Sequence, residues 1–449
     1  MNWNIVKGAC LALLPVAGTL KAQEKPNIVV ILADDLASNE ISCYGGKNLK
    51  TPNIDRIAEE GIRFTNNFAS CAMSVPIRAS LYTGLYPARH GSYQNHKISY
   101  SDIKSVTYYL PQAGYRVGRA GKTHTVPKSV FNFEKVPGFE ENCIAVTADY
   151  TVDGIRDFMR QDSPFVCSTL SHAPWTCGNK DEFDADKVIL PPNCVDNKGT
   201  RELFRRLLAE IRALDNQVGD VLKTIEEVGK LDNTLVVFLG EQGPQLPGGK
   251  WTCWNYGQSS ALVARYPAKI KAKSTSDAIV QYEDILPTLM EFVGGDEIEG
   301  IDGKSFLKAL FGKEKEHRRF AYGIHNNIPE GTAYPIRSIR DKRYKLILNL
   351  TPEVEYFEKH LMNLKNERSV WASWIESTKT DKRARYFVDR YVKRPAIEFY
   401  DMQKDPWELN NLAEEKKYAK RIAMMKGELE AWMRQQGDTG AKMNVKIKK

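Results

Sequence analysis

Two kinds of side chain in this sequence are able to do charge chemistry, and they fall in short clusters spread along the chain. Asp34, Asp35, Glu241 and Gln242 offer oxygen donors only, with no cysteine or neighbouring histidine to suit zinc. An oxygen-only set favours a hard divalent cation, Ca²⁺ ahead of Mg²⁺. Arg78, Lys122, His124, His172 and Lys250 supply positive charge and proton carriers. A cation ringed by such groups holds a tetrahedral oxyanion and offsets charge in an in-line displacement, which suits phosphate and sulfate esters alike. The stretch Ser74-Val75-Pro76-Ile77-Arg78-Ala79-Ser80-Leu81-Tyr82-Thr83-Gly84 adds a candidate nucleophile. Ser74 reads as a helix N-cap, and Pro76 fits the first turn because its missing N–H costs nothing there. Arg78 lies one turn further on the same side, so whatever Ser74 holds sits at the positive end of a helix.

Those residues need elements to bring them together. Residues 27–32 form a continuous β-branched apolar run that ends at Asp34-Asp35, the mark of a central parallel strand buried on both faces. Residues 115–120 predict a strand that delivers Gly121-Lys122-Thr123-His124, and residues 163–170 one that delivers Ser171-His172-Ala173-Pro174-Trp175. Residues 234–239 deliver Gly240-Glu241-Gln242-Gly243, with Gly248-Gly249-Lys250-Trp251 just downstream. Open α/β sheets bind ligands beyond the carboxyl ends of their strands. A lone pair of acids there reads as a solvated turn, but four strands ending in chemistry-bearing residues read as a site. A long helix is expected over residues 200–228, with Leu203, Leu207, Ile211, Leu214, Val218 and Val221 on its buried stripe. Shorter helices are expected over 52–61, 106–113 and 284–293. Past Gly303 the character changes. Ile336–Arg340 and residues 344–350 flank Asp341-Lys342-Arg343 as a hairpin, Ile397–Asp401 reads as a further strand, and residues 414–436 as a closing helix. The expected fold is α/β: a large, mixed, mostly parallel sheet flanked by helices over residues 23–303, then a smaller C-terminal α+β subdomain with an antiparallel sheet over 304–449.

At 449 residues, 42% of them hydrophobic, the chain can bury a large core. Its net charge of +8 falls to +6 without Lys7 and Lys21, and the basic residues do not cluster before the tail. That fits an anionic small substrate or polysaccharide and falls short of a nucleic-acid footprint. Residues 1–22 read as a secretory signal, with a positive start at Lys7, an apolar stretch over 9–20 too short to span a bilayer, and a small residue at Ala22. Export to the periplasm or beyond, without a lipid anchor, is the expectation. No later segment approaches the length of a membrane span. Seven of the eight cysteines follow the leader, an odd count without paired spacing, which argues against a full disulfide framework.

Ser74-x-Pro76-x-Arg78 followed by Leu81-Tyr82-Thr83-Gly84 resembles the active-site motif of type I sulfatases in its serine form. From Lys25 to about Gln436 the chain is similar to that branch of the alkaline phosphatase superfamily. The metal-binding Asp-Asp of the family falls on Asp34 and Asp35, its Gly-Lys-x-His on Lys122 and His124, and its His-x-Pro on His172. Its acid-plus-amide pair falls on Glu241 and Gln242, its later lysine on Lys250, and its C-terminal signature on the stretch from Phe399 to Leu412. Tyr334-Pro335-Ile336-Arg337-Ser338 looks most like the N-sulfoglucosamine sulfohydrolase group.

The resemblance implies an alkaline-phosphatase-like fold and hydrolysis of sulfate esters, or of N-sulfate, on sulfated carbohydrates. It implies a divalent ion on Asp34, Asp35, Ser74, Glu241 and Gln242, and conversion of Ser74 to formylglycine by a maturation enzyme that accepts serine. A plain serine sulfate would be a dead end, whereas a hydrated aldehyde has a second hydroxyl whose deprotonation expels sulfate. By the same resemblance Arg78, Lys122 and His124 steady the hydrate, and His124 also takes the proton that releases sulfate. His172 and Lys250 hold the substrate sulfate, one of them protonating the departing oxygen or nitrogen. Besides the serine at 74, which calls for a maturation enzyme that accepts it, the chain departs from the family at two more places. Ile77 replaces a small or hydroxylated residue, and Glu241-Gln242 stands where Asp-His or Asp-Asn is commoner.

Other residues carry two readings each. Trp175, Trp251, Trp254 and Tyr256 either stack on a sugar ring or pack. His325 either lines the substrate pocket from the smaller subdomain or belongs to a solvated loop. His317 and His360 read as surface residues, and His90 as a support behind the site. On function, a phosphoester hydrolase of the same superfamily and a non-catalytic sulfated-glycan-binding protein with unmodified Ser74 stand as the alternatives.

Overall fold

The computed structural model describes residues 1, 25–141, 149–161, 163–170, 178–366, 369–440 and 443. The expected leader, His172 and Trp175 lie outside the described residues.

The strand β1 (Asn27–Ala33) is buried along its whole length, and its alternate side chains enter two different cores. Val29 and Ile31 join Leu207, Ile211 and Val218 of the long helix Lys198–Glu227. Ile28, Val30 and Leu32 join Ile77, Leu81 and Leu286 on the other side. A strand covered on both faces has no polar side to alternate with, which is why its sequence is an unbroken apolar run.

After β1 come β2 (Ile62–Phe68), β3 (Arg116–Gly121), β4 (Glu134–Val136), β5 (Pro164–Leu170), β6 (Thr234–Gly240), β7 (Ser259–Arg265) and β8 (Ser274–Gln281). They form one sheet in the order β4-β3-β5-β1-β6-β7-β2-β8. The four strands expected to deliver chemistry, β3, β5, β1 and β6, are consecutive neighbours and run parallel. Their ends are level, with Ala33 opposite both Leu170 and Gly240, and Gly121 opposite Thr169. β7 is antiparallel to β6 and to β2, which makes the sheet mixed.

α1 (Pro52–Glu59) packs beside the long helix, and α2 (Ser74–Thr83) is buried at every one of its positions. α2 stops at Gly84, whose φ of 69° is left-handed and whose N–H reaches the Ser80 carbonyl at 2.9 Å. The helix expected over 284–293 starts instead with a short 3-10 turn, Tyr282–Asp284, and continues as Ile285–Phe292.

A second sheet follows: β9 (Ala321–His325), β10 (Ile336–Arg340), β11 (Tyr344–Asn349) and β12 (Ile397–Asp401), all antiparallel, in the order β12-β11-β10-β9. The helix Ala419–Gln435 covers β10 and β11; it begins later than residue 414 because a 3-10 turn, Lys416–Tyr418, precedes it. Among the described residues no helix is long and apolar enough to cross a membrane.

Candidate active site

The level carboxyl ends of β1, β3 and β6 put Asp34, Lys122 and Glu241 side by side, and α2 aims its first turn at them. Lys122 Nζ lies 2.9 and 2.7 Å from the two oxygens of Asp34, and Arg78 Nη2 lies 3.4 Å from Oδ1. Lys250 Nζ donates to Asp35 Oδ1 at 2.6 Å, and Gln245 Nε2 to Asp35 Oδ2 at 2.9 Å. Gln242 Nε2 also donates to Asp35 Oδ1, and Arg78 Nε pairs with Glu241 Oε1. Ser74 is the hub. Its Oγ donates to Glu241 Oε2 at 2.8 Å and accepts from Lys122 Nζ at 3.3 Å and Lys250 Nζ at 3.5 Å.

The electrostatics follow from this packing. Burial would raise the Asp34 carboxyl, but Lys122, the hydrogen bond linking it with Glu241, Arg78 and Lys250 outweigh it and hold Asp34 well below the usual carboxylate range. Burial pushes Glu241 upward, with Asp34 adding to that and Arg78 and Lys122 opposing it. Burial disfavours the Lys250 ammonium, yet Asp35, Asp34 and Glu241 more than restore it and raise its pKa.

Asp34, Asp35 and Glu241 are all buried, with ligand oxygens within 4.8 Å of one another. The Oε1 of Gln242 is buried and has no hydrogen-bond partner among the described residues. Three carboxylates and a spare amide oxygen fit a hard divalent ion.

Several expectations change. Ser74 is not the N-cap: Met73 holds that position in extended conformation at φ −148°, and Ser74 is the first helical residue. Its hydroxyl donates instead to the Glu241 carboxylate, and hydrogen bonds to an ionised acceptor are among the stronger ones. His325 is fully buried at the end of β9, which rules out a solvated loop. Trp251 is 2% exposed and its ring stacks on His360 at 5.4 Å, leaving no open face for a sugar. Trp254 and Tyr256 pack too, the first donating to Glu398 Oε2 at 2.8 Å and the second lying against Trp407. His317 is not a surface residue; it lies 3.1 Å from the Asp284 carboxylate with its side chain 8% exposed. His360 is exposed. His90 is buried with Nε2 3.1 Å from the Pro76 carbonyl, bracing the first turn of α2.

His124 stands at the edge of the cluster, within the fields of Lys122 and Arg78, and its Nε2 is 3.2 Å from His96 Nδ1. Sequence reasoning passed over His96 and its neighbour Asn95, which carry no motif, and Gln245. The last had a usable signal, since it sits three residues past Gln242 in the same loop.

Comparison with known proteins agrees with this geometry. The family described as sulfatase matches residues 26–295. An ulvan-active sulfatase of Formosa agariphila is 35% identical over 440 residues, which is 92% of this chain and 81% of that protein. The chain belongs to the sulfatase family. This sulfatase is therefore a sulfuric ester hydrolase, and residues 250–382 match the family described as N-sulphoglucosamine sulphohydrolase, C-terminal. The N-sulphoglucosamine sulphohydrolase of Homo sapiens is 26% identical, over 94% of this sulfatase and 93% of the human protein. The structure of BT4656 in complex with its substrate D-glucosamine-2-N,6-O-disulfate shares the fold with a TM-score of 0.71, at 23% identity, over 93% of this chain and 99% of that one.

Proposed function

We propose that this sulfatase is exported and removes sulfate from sulfated carbohydrate, as an O-sulfate or the N-sulfate of an amino sugar, through formylglycine made from Ser74. The observation that carries the reading is the hub position of Ser74 Oγ, in contact with Lys122, Lys250 and Glu241 beside the buried cluster of Asp34, Asp35 and Glu241. The C-terminal match to the N-sulphoglucosamine group supports an amino-sugar substrate, and the ulvan-active relative supports a polysaccharide source. Asp34, Asp35, Glu241, Gln242 and the oxidised Ser74 side chain would hold Ca²⁺, or Mg²⁺ as second choice, and the ion would act there as a Lewis acid toward a sulfate oxygen. The hydrated aldehyde supplies one hydroxyl to attack sulfur and a second whose deprotonation lets sulfate leave.

The chain's own groups do the rest. Lys122 and Arg78 fix the position of the nucleophilic oxygen and offset charge growing beside it. Lys250, with its ammonium held charged by Asp35, and His172 orient the substrate sulfate, and one of them gives a proton to the departing oxygen or nitrogen. Residues 23–303 supply the catalytic domain, and residues 304–449 form the smaller subdomain beside it.

The test is made on chain matured with a serine-accepting formylglycine-generating enzyme. The peptide holding Ser74 is expected to lose about 2 Da, the two hydrogens removed by oxidation of the nucleophile. Matured protein releases sulfate from defined sulfated mono- and disaccharides, N-sulfoglucosamine among them, and Ser74→Ala does not, while keeping the wild-type circular dichroism. Wild-type turnover in Ser74→Ala, or activity on phosphate esters alone, would overturn the proposal.

A further inference from the structure

We propose that a basic groove where the two sheets meet, remote from Ser74, is a second binding site for sulfated polysaccharide, holding a stretch of polymer that is not being desulfated. Its meaning as a substrate tether rests on the proposed function above; its shape and charge do not.

The groove has a volume of about 420 Å³, within the range of ordinary ligand pockets. Part of its lining is aromatic: Trp432 of the closing helix stacks on Tyr322 of β9 at 4.9 Å, and Tyr86 meets Trp432 edge-on at 5.1 Å. The rest carries Arg89, Lys304, Arg318 and Arg319 against one acid, Asp302.

What matters is which of these charges are already spent. Arg318 is committed, with Nε 2.6 Å from Asp284 Oδ2 and Nη2 3.0 Å from the Asp302 carbonyl. Arg89 donates to Asp302 Oδ1 at 2.9 Å and to the Gly300 carbonyl at 2.8 Å, and 37% of its side chain still faces solvent. Those bonds hold its guanidinium in one orientation. Lys304 is exposed, and its ammonium has no partner among the described residues. Arg319 is 71% exposed and lies 3.9 Å from Glu428, a surface pair that contributes little. Asp302, by contrast, is covered by Arg89, by Gln436 Nε2 at 3.0 Å and by the Tyr86 N–H at 2.9 Å. The groove therefore presents positive charge, and a guanidinium fork suits the oxygens of sulfate or carboxylate.

Its uncharged part suits a sugar. Tyr322 is half-buried, an apolar ring with a polar tip, and the exposed Gln435 amide both donates and accepts. Ring carbons and hydroxyls on one ligand, with anionic groups beside them, describe a sulfated saccharide.

The position excludes a part in the chemistry. Ser74 opens α2, whereas Tyr86 and Arg89 follow its other end, and ten helical residues span about 15 Å. None of the lining residues belongs to the Asp34, Ser74 and Glu241 cluster. A polymer gripped here raises the local concentration of its own sulfates at Ser74 without altering the reaction.

The test uses the full chain and the double variant Lys304→Glu with Arg319→Glu, which reverses the two unspent charges, after circular dichroism has matched it to wild type. Hydrogen exchange of unmatured protein is followed with heparin and ulvan oligosaccharides as probes, each intact and desulfated. An intact probe is expected to slow exchange in peptides covering residues 300–306 and 317–322 of wild type and not of the variant, and the desulfated probes are expected to do nothing. In matured enzyme the variant raises KM for a sulfated polysaccharide about tenfold or more, leaving kcat, and KM for a sulfated monosaccharide, at wild-type values. Salt of about 1 M closes that gap, because exposed charges are then screened. Lys304→Gln with Arg319→Gln moves KM in the same direction by less. Absence of protection by both intact probes, or equal protection by a DNA oligonucleotide of the same charge, overturns the proposal. So does an unchanged polysaccharide KM in an active variant, which leaves the sulfatase reading standing. Protection of the groove in matured protein that releases no sulfate would instead remove that reading and keep the site.

Discussion

Asp34, Asp35 and Glu241 crowd three carboxyl groups into a space where ligand oxygens lie within 4.8 Å of one another, and Arg78, Lys122 and Lys250 are set directly against them. Like charges at that spacing in a low-dielectric interior repel by several kcal/mol, so buried acids persist only with partners. The three cations are those partners in the chain by itself. A divalent ion bound there would add charge where the acids converge and would give Gln242 Oε1, which has no partner among the described residues, something to coordinate. Removing the ion should therefore silence the enzyme without unfolding it. After exhaustive EDTA treatment, checked by metal analysis, sulfate release is expected to vanish while circular dichroism is unchanged. Returning Ca²⁺ to a hundredfold above its Kd restores turnover and raises stability by about 2.7 kcal/mol, read as a higher thermal midpoint. Full turnover in verified metal-free protein would strip the three acids of their assigned task.

Elements were legible where one physical demand dominated their composition. β1, β5 and β6 stand out because strands covered on both faces read as apolar runs, whereas β3 carries Arg116 and Arg119; the residues just past β1, β3 and β6, namely Asp34, Lys122 and Glu241, meet in the site. β8 does not stand out: it opens with Ser274-Thr275-Ser276-Asp277 at the open edge and is buried only in its second half. Asn95, His96 and Gln245 reach the site through loop conformation, which no periodicity encodes. The 3-10 turn Ser38–Glu40 is another such case, since a polar stretch folds inward and buries Glu40 to 4% exposure. Burial raises that carboxyl from 4.5 to about 7, against hydrogen bonds from Tyr256 and Asn39. The folded state thus binds this proton more tightly than the unfolded chain does. Its stabilising effect is complete below about pH 4.5 and is lost as pH rises through 7, a change of about 3 kcal/mol. Glu40→Gln keeps an uncharged acceptor in place. Compared with wild type, it is expected to raise the thermal midpoint by a few degrees at pH 8 and by almost nothing at pH 4.5. An equal gain at both pH values would show that Glu40 is not buried as a neutral acid.

At the scale of the whole molecule, the two sheets are joined by the end of the chain as well as by the Ile279–Arg318 bridge next to β8 and β9. Trp432 of the closing helix stacks on Tyr322 of β9 at 4.9 Å and meets Tyr86, just past α2, edge-on at 5.1 Å. Gln436 donates to Asp302 Oδ1 at 3.0 Å, and Asp438 then turns back under the small sheet. There it pairs with Arg337 of β10, Nη2 to Oδ1 at 2.9 Å, with both side chains fully buried. Its Nη1 donates to Asn326 Oδ1 at 2.9 Å and to the carbonyls of Ile336 and His325 at 2.8 and 3.3 Å. Asp438→Ala would leave a buried positive charge without its counter-ion, which costs about 3–5 kcal/mol. Because the segment touches both sheets, that loss is expected to lower the urea midpoint of the entire chain in one transition, with small-sheet and large-sheet tryptophan signals moving together. Arg337→Met combined with Asp438→Leu removes charge and counter-ion together and is expected to regain much of the stability, since apolar groups of similar volume often replace a buried ion pair at little cost. If Asp438→Ala instead cost under about 1 kcal/mol, or split unfolding into two separate steps, the closing segment would be a passenger on the small sheet and not the strap that makes one body of the two.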